Sequence, residues 1–258
     1  MSVTDVTGSA GEGFRIGRVI GRTFSAISAN ALIVWPVSVV FIAAPAAGLG
    51  YLTLFQQGGP LGNLLRRVVV GLFAVFVHGV TIKACLDQFA GKRRRLGRSL
   101  GAGVSNYAGM FGVRWLTNIG ALFGLILLIA PGLIWATSWI VAGPALIAND
   151  TKSQGPLARS AQLTKGSRWS ILGLMLIFFV AYLALSFAGG IAVGVSWRWI
   201  APLLPAGTTV EVAASVLGSP VVLMPYEVFA AAGAAAIYWE LKLVRESGGV
   251  EAVSRVFA

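Results

Sequence analysis

The chain has 258 residues, 57% of them hydrophobic and only 11% charged, with a mean hydropathy of +0.82. A soluble domain carries about 25% charged residues, so this composition excludes an ordinary water-soluble globule and makes lipid the solvent for much of the surface. The formal net charge of +11 would suit nucleic acid, so the positions of the charges have to decide. One cysteine (Cys85) and one histidine (His78) supply neither a disulfide framework nor a zinc ligand set.

Residues 1–13 are rich in Ser, Thr and Gly and are expected to be a flexible N-terminus. An amphipathic helix follows, with Ile16, Ile20, Phe24 and Ile27 on one face and Arg15, Arg18, Arg22 and Ser25 on the other. A membrane span needs about 20 predominantly apolar residues. The first candidate is Ala31–Phe55. Its Ala43-Ala44-Pro45-Ala46-Ala47 stretch faintly resembles a signal-peptidase site, but the apolar run begins too late in the chain for a signal peptide, so it is read as a retained span.

The second candidate, Val68–Phe89, carries His78 midway and Lys83 and Asp87 toward its inner end. Leu96, Leu100, Val104 and Tyr107 then form a second apolar stripe, opposite Arg94, Arg98 and Ser105. Gly109–Ala130 and Leu133–Ala148 are two more candidates, separated by the turn dipeptide Pro131-Gly132. Their hairpin either spans or re-enters, and both cases leave the termini on one side. A third, thinner stripe of Leu157, Ala161 and Thr164 precedes the fifth and sixth candidates, Trp169–Val195 and Val212–Leu241. The remaining residues, 246–258, read as a cytoplasmic tail.

Six spans place 17 of the 20 Lys and Arg residues on one side and Arg66, Arg67 and Arg198 on the other. The positive-inside rule makes the crowded side, with both termini, cytoplasmic. The excess charge is thereby a topology signal, and no nucleic acid is expected as a partner. Trp169, Trp239, Trp197 and Trp199 fall at expected interfaces, whereas Trp35 and Trp139 lie deeper and are read as packing residues.

The cytoplasmic segments repeat. Arg15-Ile16-Gly17-Arg18-Val19-Ile20-Gly21 resembles Arg95-Leu96-Gly97-Arg98-Ser99-Leu100-Gly101, and more weakly Pro156-Leu157-Ala158-Arg159-Ser160-Ala161. The unit is one amphipathic helix plus one transmembrane hairpin, used three times, at about 14–90, 91–150 and 151–242 within a single membrane domain (14–245). Such helices lie in the headgroup layer. Arg18, Arg98, Arg159, Lys165 and Arg168 are candidates for contact with anionic lipid of the cytoplasmic leaflet; anchoring, packing and a membrane-protein partner are the competing readings.

The stretch Pro131-Gly132-Leu133-Ile134, then Pro144, then Ala158-Arg159-Ser160-Ala161-Gln162-Leu163-Thr164-Lys165-Gly166-Ser167-Arg168-Trp169 carries a family likeness. It resembles the membrane domain of some bacterial glycerophosphoryl diester phosphodiesterases and the related YciC-type inner-membrane proteins. The ending Tyr238-Trp239-Glu240-Leu241-Lys242 is similar to that group's close to the last span. The chain departs from the pattern at Asn149-Asp150, where the group often has Glu, and nothing outside the spans is long enough for a phosphodiesterase domain. The resemblance implies a six-span, lipid-associated membrane domain without catalytic residues.

Nucleophile elbows, phosphate-cradling loops, zinc-protease patterns and paired carboxylates are missing from the sequence, so neither enzyme chemistry nor a cofactor is expected. Glu227 stands out, deep in the sixth span after Pro220 and Pro225, where a charge costs roughly 2.5–3.5 kcal/mol or more. No cation is obviously level with it. It is therefore expected to be a protonated acid satisfied by a hydroxyl, an amide or a backbone carbonyl, with a transport pathway beside a proline-broken helix as the alternative. His78 reads as a buried donor or, alternatively, a proton relay, and Lys83 and Asp87 as side chains reaching the inner interface. Gly120-x-x-x-Gly124 and Gly190-x-x-x-Gly194 fit close helix packing. The leading expectation is a non-enzymatic, lipid-associated inner-membrane protein; a small transporter or channel near Glu227 and a membrane scaffold are the other readings.

Overall fold

The structure is a computed structural model that describes residues 14–55, 59–93, 95–127, 129–151, 154–204 and 206–256. The expected flexible segment 1–13, and also Arg94, Lys152 and Pro205, lie outside these. The described chain is all-helical. In order it runs α1 (Ile16–Ala29), α2 (Ala31–Ser38), a π-helical turn (Val39–Ala43), α3 (Ala44–Phe55), α4 (Gly59–Phe89), α5 (Leu96–Ser105) and α6 (Tyr107–Leu127). It continues through α7 (Ile129–Trp139), α8 (Ala142–Ile147), α9 (Pro156–Thr164), α10 (Arg168–Ile200), a 3-10 turn (Ala201–Leu203) and α11 (Val210–Val256).

Four helical segments among the described residues are long and apolar enough to cross a membrane: Ala31–Leu52, Pro60–Phe89, Arg168–Leu203 and Pro220–Arg245. The first is one rod from α2 to α3. Its widened π turn lies just ahead of Pro45, whose ring lacks an N–H and clashes with the carbonyl four residues back. Gly132–Ile147 is a shorter apolar stretch.

That stretch departs from the expected hairpin. Tyr107–Leu127 ends and Ile129–Trp139 begins before Pro131-Gly132, so the dipeptide sits in the first turn of α7, not between two spans. Proline is tolerated there because the first-turn N–H groups have no partner within the helix. The expected fourth span is then broken at Ile140–Val141 into α7 and α8. Close contact between α6 and α7 depends on glycine. A Cβ at Gly124 would lie 2.8 Å from the Gly132 backbone nitrogen, and one at Gly120 would strike the Trp139 ring. This glycine pair packs the hairpin within the chain. Gly190 and Gly194, by contrast, face open space.

The centre of the bundle is α11. Ala231, Ala232, Ala235 and Ala236 are all fully buried, and such small side chains let α1, α4 and α10 approach closely. Pro220 and Pro225 lie inside this helix without breaking it, unlike the proline-broken helix of the alternative transport reading, and it continues as far as Val256 through most of the expected tail. Helix α10 lies outermost. Only Ile171, Leu174 and Val193 of its side chains are buried, while Trp169, Leu176, Phe179, Phe187, Ile191 and Trp199 are exposed. Trp239 is half-buried, its ring 5.9 Å from that of Phe89.

The amphipathic helices bury part of each expected apolar stripe, with Ile16, Ile20, Leu100 and Tyr107 packed against the core, together with small and hydroxyl-bearing residues beside it. In α1 the buried side chains are Val19, Thr23, Ala26 and Ile27, and Phe24 is exposed. In α5 they are Ser99 and Gly103, with Leu96 and Val104 exposed. In α9 they are Ser160, Leu163 and Thr164. A residue directly after an arginine (Val19, Ser99, Ser160), and another four positions on (Thr23, Gly103, Thr164), are thus buried in all three helices. Asn30, Asn106 and Ser167 join these helices to the next ones in nearly one conformation, with φ of −106°, −100° and −112°.

Candidate functional site: charged side chains inside and at the end of the bundle

Glu227 is 1% exposed, and it is not the lone acid the sequence suggested. Arg114 of α6 donates both terminal nitrogens to it, Nη1 to Oε2 at 2.9 Å and Nη2 to Oε1. His78 Nδ1 of α4 lies 3.2 Å from Oε2. The expectation of a protonated acid held by neutral groups is therefore replaced by an ion pair with a histidine on its flank. Arg114 had been assigned to the inner boundary. Its long side chain carries the guanidinium to the depth of Glu227, and two parallel N–H···O bonds fix the carboxylate plane. The triad ties α4, α6 and α11 together. Tyr226 and Tyr182 pack beside it with ring centroids 4.9 Å apart.

A second set of charges gathers at one end of the bundle. The Phe89–Trp239 ring contact and a 2.8 Å hydrogen bond from the Tyr238 hydroxyl to Asp150 Oδ2 bring Asp87, Asp150 and Glu240 to that same end. Each of these acids faces an arginine from a short amphipathic helix. Arg18 Nε donates to Glu240 Oε1 at 2.8 Å, and Arg22 of the same helix donates to Oε2. Arg159 Nη2 donates to Asp150 Oδ2 at 3.0 Å. Arg98 Nη1 stands 3.6 Å from Asp87 Oδ2, and Lys83 Nζ donates to Oδ1 of the same acid at 2.8 Å.

Arg18 and Arg159 are thus paired with protein carboxylates. Burial works against the charged form of Asp150. The hydrogen bonds from Arg159 and Tyr238 outweigh it, helped by the charges of Arg159 and Lys242, so the carboxyl is held below its usual range. Helix α9 is fastened further by Ser160 Oγ, which donates to the Ser138 carbonyl at 2.7 Å. Arg245 donates to the carbonyls of Leu163 and Lys165 at 3.1 and 2.7 Å, satisfying the last turn of α9. The Lys165 side chain is exposed, and Arg168 is half-buried with an unpartnered Nε.

Two surface clefts flank this region. One, of about 400 Å³, is lined by Lys83, Asp87, Lys92, Arg93 and Arg98. The other, of about 340 Å³, is mainly apolar and runs between Gly109–Leu116 of α6 and Gln154–Ala158 at the start of α9. Neither touches Glu227. Among the described residues no group of three or more His, Cys, Asp or Glu side chains could hold a metal ion.

The structure therefore forms the expected Lys83–Asp87 pair, joins the separately noted His78 and Glu227 through Arg114, and adds Arg22 and Glu240 at the bundle end; Arg114, Arg22 and Glu240 are not among the candidate site residues of the sequence. Glu240 carried a signal, as an acid one turn from the end of an apolar run. Arg114 carried less, because nothing in its own segment names a partner 113 residues away. Comparison with known proteins finds no matching family model, no matching curated protein and no matching solved structure.

Proposed function

We propose that the chain is a non-enzymatic, lipid-associated protein of the bacterial cytoplasmic membrane, with six spans, both termini inside and three helix-plus-hairpin units. Its kinship, on this reading, is with the membrane domain of the glycerophosphodiester phosphodiesterases and the YciC-type proteins. The observation that carries the proposal is the mixed surface of the short helices. Arg18 and Arg22 of α1 turn inward to Glu240, while Phe24 of the same helix and Leu96 and Val104 of α5 are exposed. Exposed Phe and Leu at the end of membrane-length helices bury naturally at the headgroup and acyl-chain boundary. The broad apolar face of α10 adds a lipid-facing wall. Anionic lipids of the cytoplasmic leaflet are the partners proposed, and a neighbouring membrane protein would use the same face.

The transport reading has less support. A pathway at Glu227 needs water or a substrate at the carboxylate, which is 1% exposed and already bonded by Arg114 and His78. Native mass spectrometry of the protein released from mild detergent tests the proposal. Discrete anionic phospholipid adducts that survive delipidating washes are expected; a protein that sheds all lipid as readily as its detergent would overturn it.

A further inference from the structure

The three arginine–carboxylate contacts at the bundle end are alike in plan and unequal in completeness. Glu240 is 1% exposed and taken up by Arg18 and Arg22 on its two oxygens. Asp150 is held by Arg159 and Tyr238 at 3.0 and 2.8 Å. Both of these contacts are closed, with each arginine within hydrogen-bonding distance and no more than 25% exposed. The third stays open. Arg98 stops 3.6 Å from Asp87, beyond a good hydrogen bond, and its side chain is 41% exposed. Lys92 and Arg93 join Lys83 and Arg98 around this one acid, giving four cations to one carboxylate in a single cleft. Asp87 is itself 95% buried and already bonded to Lys83, so among the described residues Lys92 and Arg93 face no acid of their own in the cleft.

We infer that this cleft is a binding site for a phosphate group, seated between Arg98, Arg93, Lys92 and Lys83 at the inner end of α4. The inference rests on the lipid-associated reading for its orientation toward the headgroup layer. The chemistry fits. A phosphate offers three or four acceptor oxygens and up to two negative charges, and it matches a surplus of guanidinium and ammonium donors gathered on one side of a single anchoring acid. Asp87 then positions Lys83 and Arg98 instead of neutralising the site. A cleft of about 400 Å³ takes a phosphate with its ester group. Its position, where an apolar helix of membrane length meets a basic loop, is where a phospholipid presents its headgroup. A phospholipid and a free phosphate share the chemistry that this cleft reads.

The test uses the full chain in phosphatidylcholine nanodiscs, with dihexanoyl phosphatidic acid as one probe and inorganic phosphate as the other, binding being followed by calorimetry. Lys92→Gln combined with Arg93→Gln alters the loop without touching the Lys83–Asp87 contact. It should weaken binding about tenfold or more, given the strength of charge-assisted hydrogen bonds. Arg67→Gln with Arg198→Gln removes the same charge elsewhere and should leave binding within about twofold, since it takes away no contact in the cleft. Binding of the lipid probe alone assigns the site to a headgroup; equal or better binding of inorganic phosphate assigns it to a soluble phosphate. No binding of either probe, or equal losses in both double variants, overturns the site. If the cleft variant still carries its lipid adducts in mass spectrometry while failing to bind the probes differently from the parent, the site fails and the lipid-associated reading stands.

Discussion

Arg114→Gln is the sharpest perturbation of the bundle. It removes both guanidinium bonds to a carboxylate that is 1% exposed and leaves His78 as the remaining partner within reach. Stripping one partner from a buried ion pair costs about 3–5 kcal/mol, because the other charge stays in a medium that cannot solvate it. At about 2–4 °C per kcal/mol for a chain of comparable size, the midpoint of thermal unfolding falls by about 6–20 °C. Glu227→Gln should cost less, since the Arg114 side chain is 32% exposed and can swing toward a wetter environment. Combining Arg114→Met with Glu227→Gln removes both charges and leaves an amide beside His78. That variant should recover most of the loss, as neutral replacements of buried pairs commonly do. Tryptophan fluorescence during heating in detergent follows all of these variants. Additive losses in the double variant, or an Arg114→Gln midpoint within about 2 °C of the parent (under 1 kcal/mol), would refute the ion pair as the tie between α4, α6 and α11.

Two further predictions concern the ends and the hairpin. Asp150 has its carboxyl held below the usual range, so its contacts with Arg159 and Tyr238 stabilise the fold above the ordinary carboxylate value, and this contribution is lost as pH falls through the lowered one. Amide exchange across Pro156–Thr164 should therefore rise on acidification, and Asp150→Asn should raise it already at neutral pH; unchanged protection in both cases would sink the role given to Asp150. Gly124→Ala places a methyl 2.8 Å from the Gly132 backbone nitrogen and should destabilise by about 1–3 kcal/mol, as overpacking does. Gly112→Ala, which meets nothing within 4 Å, is its control, and equal melting of the two variants would contradict the packing described.

Apolar runs of about 20 residues announce themselves, and the helices Ala31–Leu52, Pro60–Phe89, Arg168–Leu203 and Pro220–Arg245 fall where such runs lie. The apolar stripes of the short helices were legible, but the small residues that share the packing with them were not. Ile16 and Ile20 pack against the core and Ile27 is buried, whereas Phe24 of the same stripe is exposed. Small or hydroxyl-bearing residues such as Thr23, Gly103, Ser160 and Thr164 are buried where the short helices meet the bundle, because small side chains allow close approach. The Pro131-Gly132 turn was misplaced because proline is as comfortable in the first turn of a helix as in a loop. Glu227 was legible as costly but not as paired. Rise per residue fixes the depth of a Cα atom, yet an arginine side chain spans enough of the helix axis to blur the depth of its charge.

The orientation of the basic end decides most directly between this account and its rivals, because the cleft at Lys92–Arg98 and the three arginine–carboxylate contacts share it. Gly97→Cys on a Cys85→Ala background places one thiol at an exposed position of α5. A membrane-impermeant maleimide should label it in inverted membrane vesicles and leave it unlabelled on intact cells. Labelling of position 97 from outside intact cells would put the basic end in the wrong compartment and contradict the account.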